Sequence, residues 1–247
     1  MTKVDAASMQ GDARQWRGLL LTGAWSALAS VVLIVVQMVV YLVWPPPRTT
    51  QGYFELLLAN PVHGLLSLDL LLIVSNTLAY LIYLALGVML WRVSRSAVVI
   101  ALAFCVVGIA AYMAAPRPVE MLNLAHTYAH ADAATRAALL ATGDGMLATW
   151  AGTAFDVYYF FNLVTLLILA ILMLRSSIFG RATAVWGLVG AAFMIVPTNF
   201  GPVGLAFGIA SLLPWGVFAA LVGWRMLKLA GPAPAPPAGP ESGHLVG

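Results

Sequence analysis

Charged side chains are scarce in this chain: 12 Lys and Arg and 9 Asp and Glu in 247 residues, or 9% together. Soluble domains carry about 25%, so the scarcity excludes a surface that meets water on every side. Cysteine is scarcer still. The single Cys105 excludes an intrachain disulfide and says nothing of redox compartment. Several enzyme signatures are also missing: a Gly-x-Ser-x-Gly elbow, a phosphate-binding loop and a dinucleotide-binding glycine pattern. No basic patch interleaves with aromatics, so the net charge of +3 gives no reason to expect nucleic acid as a partner.

What is abundant is apolar. Such residues make up 62% of the chain and are gathered into long blocks. A membrane-crossing helix needs roughly 20 apolar residues. Segments 19–44, 68–91, 97–115, 157–174, 182–197 and 203–227 meet or approach that length. The fifth is the shortest and requires local bilayer thinning or burial in protein. The first continues past Ala27-Leu28-Ala29, well beyond a typical signal core of about 7–15 residues, and reads as a retained span. The expected class is all-α: a polytopic membrane helical bundle of six transmembrane helices with an extracytoplasmic helical cap.

Basic residues orient it. Lys3, Arg14, Arg17, Arg92, Arg95, Arg175, Arg181, Arg225 and Lys228 fall on one side of this threading; Arg48, Arg117 and Arg136 fall on the other. Short cytoplasmic loops retain Lys and Arg, so the nine-to-three split puts both termini in the cytoplasm. Trp44, Trp91, Trp150 and Trp224 lie near span ends, as an interfacial aromatic belt requires. Residues 1–18 form a cytoplasmic segment, 19–229 the membrane domain and 230–247 a disordered Pro/Ala-rich cytoplasmic tail.

Two outer segments, 45–67 and 116–150, are long. In the first, Tyr53 to Leu58 suggests a short interfacial helix broken by Pro61. In the second, Asp132 caps a helix that Gly143 ends, and Asp144 caps the next, starting near Gly145.

Polar residues inside the spans recur at the helical period. Ser26, Ser30, Gln37 and Tyr41 share one face of the first span; Asp69, Asn76, Tyr80 and Tyr83 share one of the second. In the fourth, Asp156 follows Thr149 and Thr153, and Asn162 lies between Tyr158 and Thr165. Two uses compete: interhelical glue at about 0.6 kcal/mol per bond, or an outward-facing pocket lined by Ser30, Gln37, Asp69, Asn76, Tyr80, Asp156 and Asn162. Glue is preferred, because the ionisable groups stay near the interface.

His126 and His130, one helical turn apart, form a candidate metal pair that His63, Asp69, Asp132 or Asp156 could complete. The pair lacks the glutamate of a His-Glu-x-x-His motif, and no cofactor is expected. Gly204 and Gly208 present a small face for packing within the chain or, alternatively, for a homodimer. Pro214 predicts a kink in the sixth span. A weak parallel repeat relates Met89-Leu90-Trp91-Arg92 to Met173-Leu174-Arg175, each preceded by an Asp near the outer surface and an Asn about two turns deeper.

The stretch from Ala129 to Ala141 and the Leu174-to-Arg181 run, followed by Gly187, resemble a bacterial family of small multi-pass membrane proteins known as a domain of unknown function. The resemblance implies about six helices in a bacterial cytoplasmic membrane and carries over no activity or catalytic residue. Beyond the lipid bilayer no partner or small-molecule ligand is implied. The first functional expectation is a non-enzymatic scaffold or a sensor of lipid or envelope state. A small-solute or lipid carrier using the polar pocket is the alternative, and a metal-dependent membrane enzyme the second.

Overall fold

The computed structural model describes residues 15–231. Lys3, Arg14 and the tail from 232 onward, including the expectation of disorder there, lie outside the described residues. Ten helices are present among the described residues, and no strand: α1 Arg17–Val43, α2 Thr50–Ala59, α3 Pro61–Ser67, α4 Leu70–Leu90, α5 Arg95–Met113, α6 Pro118–His130, α7 Ala133–Trp150, α8 Thr153–Arg175, α9 Arg181–Phe193 and α10 Gly201–Ala230. Five helical runs are long and apolar enough to cross a membrane: Arg17–Val43, Leu70–Leu90, Arg95–His130, Ala133–Arg175 and Gly201–Ala230. The third and fourth contain the breaks between α5 and α6 and between α7 and α8. The expected fifth span is the exception, since the 13 residues of α9 rise only about 20 Å against a hydrocarbon layer of about 30 Å.

Helix ends follow local chemistry. The Asn60 side chain accepts from the His63 N–H, and Pro61 sits at the first position of α3, where its missing N–H matters least. Ser94 caps α5 by accepting from the Ala97 N–H. Asp132 accepts from the Thr135 N–H at 2.8 Å, as expected, and that bond holds its carboxyl below the usual carboxylate range. Gly143 does not end a helix and Asp144 does not begin one, contrary to expectation: α7 runs unbroken through both. The reason is tertiary. A Cβ at Gly143 would collide with Thr50 and press on the Phe54 ring, and Asp144 accepts a hydrogen bond from the Thr50 hydroxyl. Packing of α2 against this glycine outweighs its low helix propensity, about 1 kcal/mol.

The six long or central helices close a ring in the order α1, α4, α5, α8, α9, α10 and back to α1. Across it, α4 and α8 meet only slightly. Small residues draw helices together near one end. A Cβ at Gly23 would stand 2.5 Å from the Ala85 Cβ, and one at Gly223 would stand 3.0 Å from the Ala27 Cβ. Leu20, Ala24, Ala27, Leu86, Val222 and Met226 are buried around these contacts. Beyond Ser30, α1 buries only Val40, and its Val32, Val35, Val39 and Leu42 are exposed. At the same end Arg17 Nε donates to the Ala230 carbonyl at 3.0 Å and Arg225 Nε to the Ile178 carbonyl at 2.6 Å. Those bonds bring the start of α1, the α8–α9 turn and the end of α10 to one level, so α9 and α10 run antiparallel.

At the other end α2, α3, α6 and α7 build a second core around Tyr53, Phe54, Leu57, Leu68, Met121 and Ala125. Burial, with a smaller contribution from Asp69, pushes the Tyr53 phenol there up to about 12. Trp150 joins this core rather than an exposed belt, whereas Trp44, Trp91 and Trp224 remain exposed.

The close α1–α4 approach predicts that Gly23→Val destabilises the bundle by about 1–3 kcal/mol through overpacking. Thermal unfolding of the purified protein should show a lowered midpoint, whereas Gly18→Ala, with open space at its Cβ, should leave it unchanged.

Candidate functional site

Asp69 stands where the two cores meet. It precedes α4 in the left-handed region, at φ 64°, the only such non-glycine among the described residues. Aspartate tolerates this conformation better than most side chains, yet it persists only where surroundings hold it. Three donors do so. The Tyr41 hydroxyl reaches Oδ1 at 2.8 Å, the Tyr112 hydroxyl Oδ2 at 3.1 Å and the Trp150 indole N–H Oδ2 at 2.8 Å. They come from the ends of α1, α5 and α7, so one carboxyl ties four helix ends together. Asp69 is 5% exposed.

Below this node lies a cavity of about 460 Å³ inside the ring. Helix α1 contributes Leu33, Ile34, Gln37, Met38 and Tyr41; α4 contributes Leu72, Ser75, Asn76 and Ala79 below Asp69. Phe155, Tyr158, Tyr159, Asn162 and Leu166 come from α8, and Gly190 and Met194 from the α9 region. The remaining wall includes Trp150, Thr198, Asn199, Leu205, Ile209 and Trp215. The lining is mostly apolar with a few convergent polar groups, the usual make-up of a small-molecule site. Among the described residues no lysine or arginine lines it.

The polar groups form one partly satisfied chain. Tyr158 donates its hydroxyl to Asn76 Oδ1 at 2.7 Å, Asn76 Nδ2 donates to the Leu72 carbonyl at 3.0 Å, and Asn162 Nδ2 reaches the Tyr158 hydroxyl at 3.5 Å. Asn162 Oδ1 is buried without a partner, as are both ends of the Gln37 amide. Buried polar groups are normally paired, and leaving one unpaired costs about 1–3 kcal/mol. At the mouth Asn199 Nδ2 donates to the Ala151 carbonyl and to Asp156 Oδ1, each at 2.8 Å.

The structure therefore gathers Gln37, Asp69, Asn76 and Asn162 on one cavity, with Asp156 at its rim through Asn199. Two seam residues lie elsewhere. Ser30 is buried but donates to the Ala27 carbonyl of its own helix, and Tyr80 packs on the main core outside the lining. Tyr83 is buried with its ring edge-on to Trp215 at 5.9 Å. His126 and His130 are exposed on α6, and no group of three or more His, Cys, Asp or Glu side chains is placed to hold a metal ion among the described residues. His63 lies against Trp44, its ring tilted at 5.6 Å, instead of completing that pair. The Gly204 and Gly208 face is taken within the chain: a Cβ at either would collide with Pro197 or Thr198. A dimer through this face would first have to displace that segment.

Tyr112, Thr198 and Asn199 are site residues that helical periodicity does not reveal. Tyr112 is the lone tyrosine of α5 and lies at its C-terminal end. Asn199 sits in the turn before Gly201, whose φ of +64° redirects the chain into α10.

Asp69→Ala strips a shared acceptor from three donors, an expected loss of about 3 kcal/mol or more given about 1–3 kcal/mol per unpaired group. Chemical denaturation should show that loss, with Tyr112→Phe costing about 1 kcal/mol. An unchanged midpoint for Asp69→Ala would remove the node's structural role.

Comparison with protein families, with curated proteins and with solved structures finds no match to this chain.

Proposed function

We propose that this chain is a multi-pass membrane protein that holds a small apolar or amphipathic molecule inside its helical ring, as a carrier or receptor and not as an enzyme. The observation carrying the proposal is the cavity itself, where Asn162 Oδ1 and the Gln37 amide stand buried and unpartnered. Interhelical glue calls for a closed interior with satisfied pairs. A binding site calls for open volume and polar groups with capacity left over. The second description fits these side chains better, which reverses the preference drawn from periodicity alone.

Six membrane crossings belong to the same proposal. Although α9 is short, residues 194–200 continue its path until Asn199 meets Ala151 and Asp156. Its start lies beside Arg225, through the Ile178 carbonyl. The segment thus runs between the same two levels as α8. The exposed valines and leucines of α1, with Val99, Ile100, Val106 and Phe160 on α5 and α8, suit contact with lipid tails. Arg92, Arg95, Arg175, Arg181, Arg225 and Lys228 cluster at the end away from α2, α3, α6 and α7. By the positive-inside tendency that end is cytoplasmic, and the four-helix core is an extracytoplasmic cap. A bacterial cytoplasmic membrane is the setting this reading assigns.

Two measurements test it. Reporter fusions after Ser94 should read cytoplasmic and fusions after Arg136 extracytoplasmic; the opposite result ends the topology. A Cβ at Gly190 meets only Leu166 Cδ2 and Trp215 N, at 3.5 and 3.9 Å, so a larger side chain there grows into the cavity. Gly190→Phe should weaken saturable binding of an uncharged environment-sensitive dye, such as 1-aminoanthracene, at least tenfold without loss of helix content. Equal dye binding by the filled variant would end the binding-site reading.

A further inference from the structure

We infer that the ligand class of this cavity is a lipophilic organic cation that enters sideways from the lipid layer, its charge met by Asp69 and its apolar body by the aromatic wall. The inference rests on the binding-site reading above and narrows it to one chemistry.

Charge comes first. Asp69 is a buried carboxylate whose partners, Tyr41, Tyr112 and Trp150, are all neutral donors. Hydrogen bonds donated to the carboxyl favour its ionised form while burial opposes it, and a cation seated beside it tips that balance to the carboxylate. Buried charges are otherwise found paired. Among the described residues lining the cavity there is no cation to offset a charge on Asp69. Oδ1 has a single partner against two on Oδ2, so accepting capacity remains on Oδ1. An anionic headgroup is disfavoured by the same facts: it would meet a carboxylate and no basic side chain.

Aromatic rings come second. Trp150, Phe155, Tyr158, Tyr159 and Trp215 line the cavity. Phe155 and Tyr159 lie with ring centroids 5.0 Å apart, and Tyr158 and Tyr159 at 5.7 Å. Ring faces attract a diffuse cation by about 0.5–2 kcal/mol each when water is excluded. A volume of about 460 Å³ falls in the range of about 300–1,000 Å³ that accepts drug-sized molecules.

The route comes third. Leu205 and Ile209 line the cavity yet are 56% and 50% exposed, and on α1 Leu33, Ile34 and Met38 are half-buried lining residues. The outer halves of α1 and α10 therefore leave an apolar side opening, while their inner halves are closed by Gly23, Ala27 and Gly223. An opening edged by leucine and isoleucine admits a molecule already dissolved in the bilayer more readily than a hydrated one.

The test uses the full chain in nanodiscs of zwitterionic lipid, with equilibrium dialysis of tetraphenylphosphonium. Saturable binding at one site per chain is expected, weakened at least tenfold by Asp69→Asn and also by Ile209→Trp, which narrows the opening and leaves the carboxylate untouched. The shape-matched anion tetraphenylborate should neither bind the site nor compete. If tetraphenylborate or neutral triphenylphosphine oxide binds as tightly as the cation, the ligand class is overturned while the binding site stands. If none of the three probes binds and the neutral dye also fails, both readings fall. Should Asp69→Asn not fold, the cation-against-anion comparison on the unaltered chain decides alone.

Discussion

One buried carboxyl holds the upper architecture together. Asp69 accepts from the end of α1, the end of α5 and the end of α7, and it begins α4 in a backbone conformation that few side chains adopt. Removing the contact would free four helix termini at once, along with the seam between the ring and the smaller core around Phe54. Each of its three bonds contributes about 1 kcal/mol, and losing the shared acceptor would leave three donors unpaired at once. The same group faces the cavity. Structural anchor and binding candidate are thus one residue, and its strained geometry lies where strain is commonly stored for use.

The two ends of the ring are built differently. Near the basic end glycine and alanine let α1, α4 and α10 approach to backbone contact, and arginines bond to carbonyls of neighbouring segments. Near the Asp69 end the side chains are larger and the helices separate around open volume. Thr165 stands between α8 and α5 away from the opening, its hydroxyl 2.8 Å from the Phe161 carbonyl of its own helix and 3.1 Å from the Ala101 carbonyl across the contact. With this gradient the ring is closed near the basic end and open near the Asp69 end.

Much of this was legible beforehand, for physical reasons. Long apolar blocks are unambiguous, so the long helices emerge where hydropathy puts them, and the caps at Asp132 and Pro61 follow from side-chain chemistry that acts within three residues. Helical period alone brought Gln37, Asp69, Asn76 and Asn162 to an inward face. What periodicity cannot convey is how far apart the faces stand, so it favours glue, and the proposed pocket rests instead on open volume and the half-partnered Asn162 amide. Gly143 misled because its neighbour, Thr50, is 93 residues away in sequence. Ser30 and Tyr80 share the right stripe but sit a turn too deep or a few tens of degrees too far round. His126 and His130 met the spacing rule and nothing else, since a metal site depends on a third group and none stands near them among the described residues. Asn199, in a seven-residue turn between two helices, carried no periodic signal at all.

The crossing of α1 and α10 near Ala27 and Gly223 has a mechanical consequence. Leu205 lies 18 residues from Gly223 along α10, a lever of about 27 Å at 1.5 Å per residue, so a tilt of about 5° about that contact displaces the far tip by about 2 Å. Pro214, buried partway along this arm, removes one backbone bond and softens it further. Small rotations at this glycine fulcrum therefore set the width of the side opening, and in the proposed membrane setting lateral pressure would act on it with mechanical advantage.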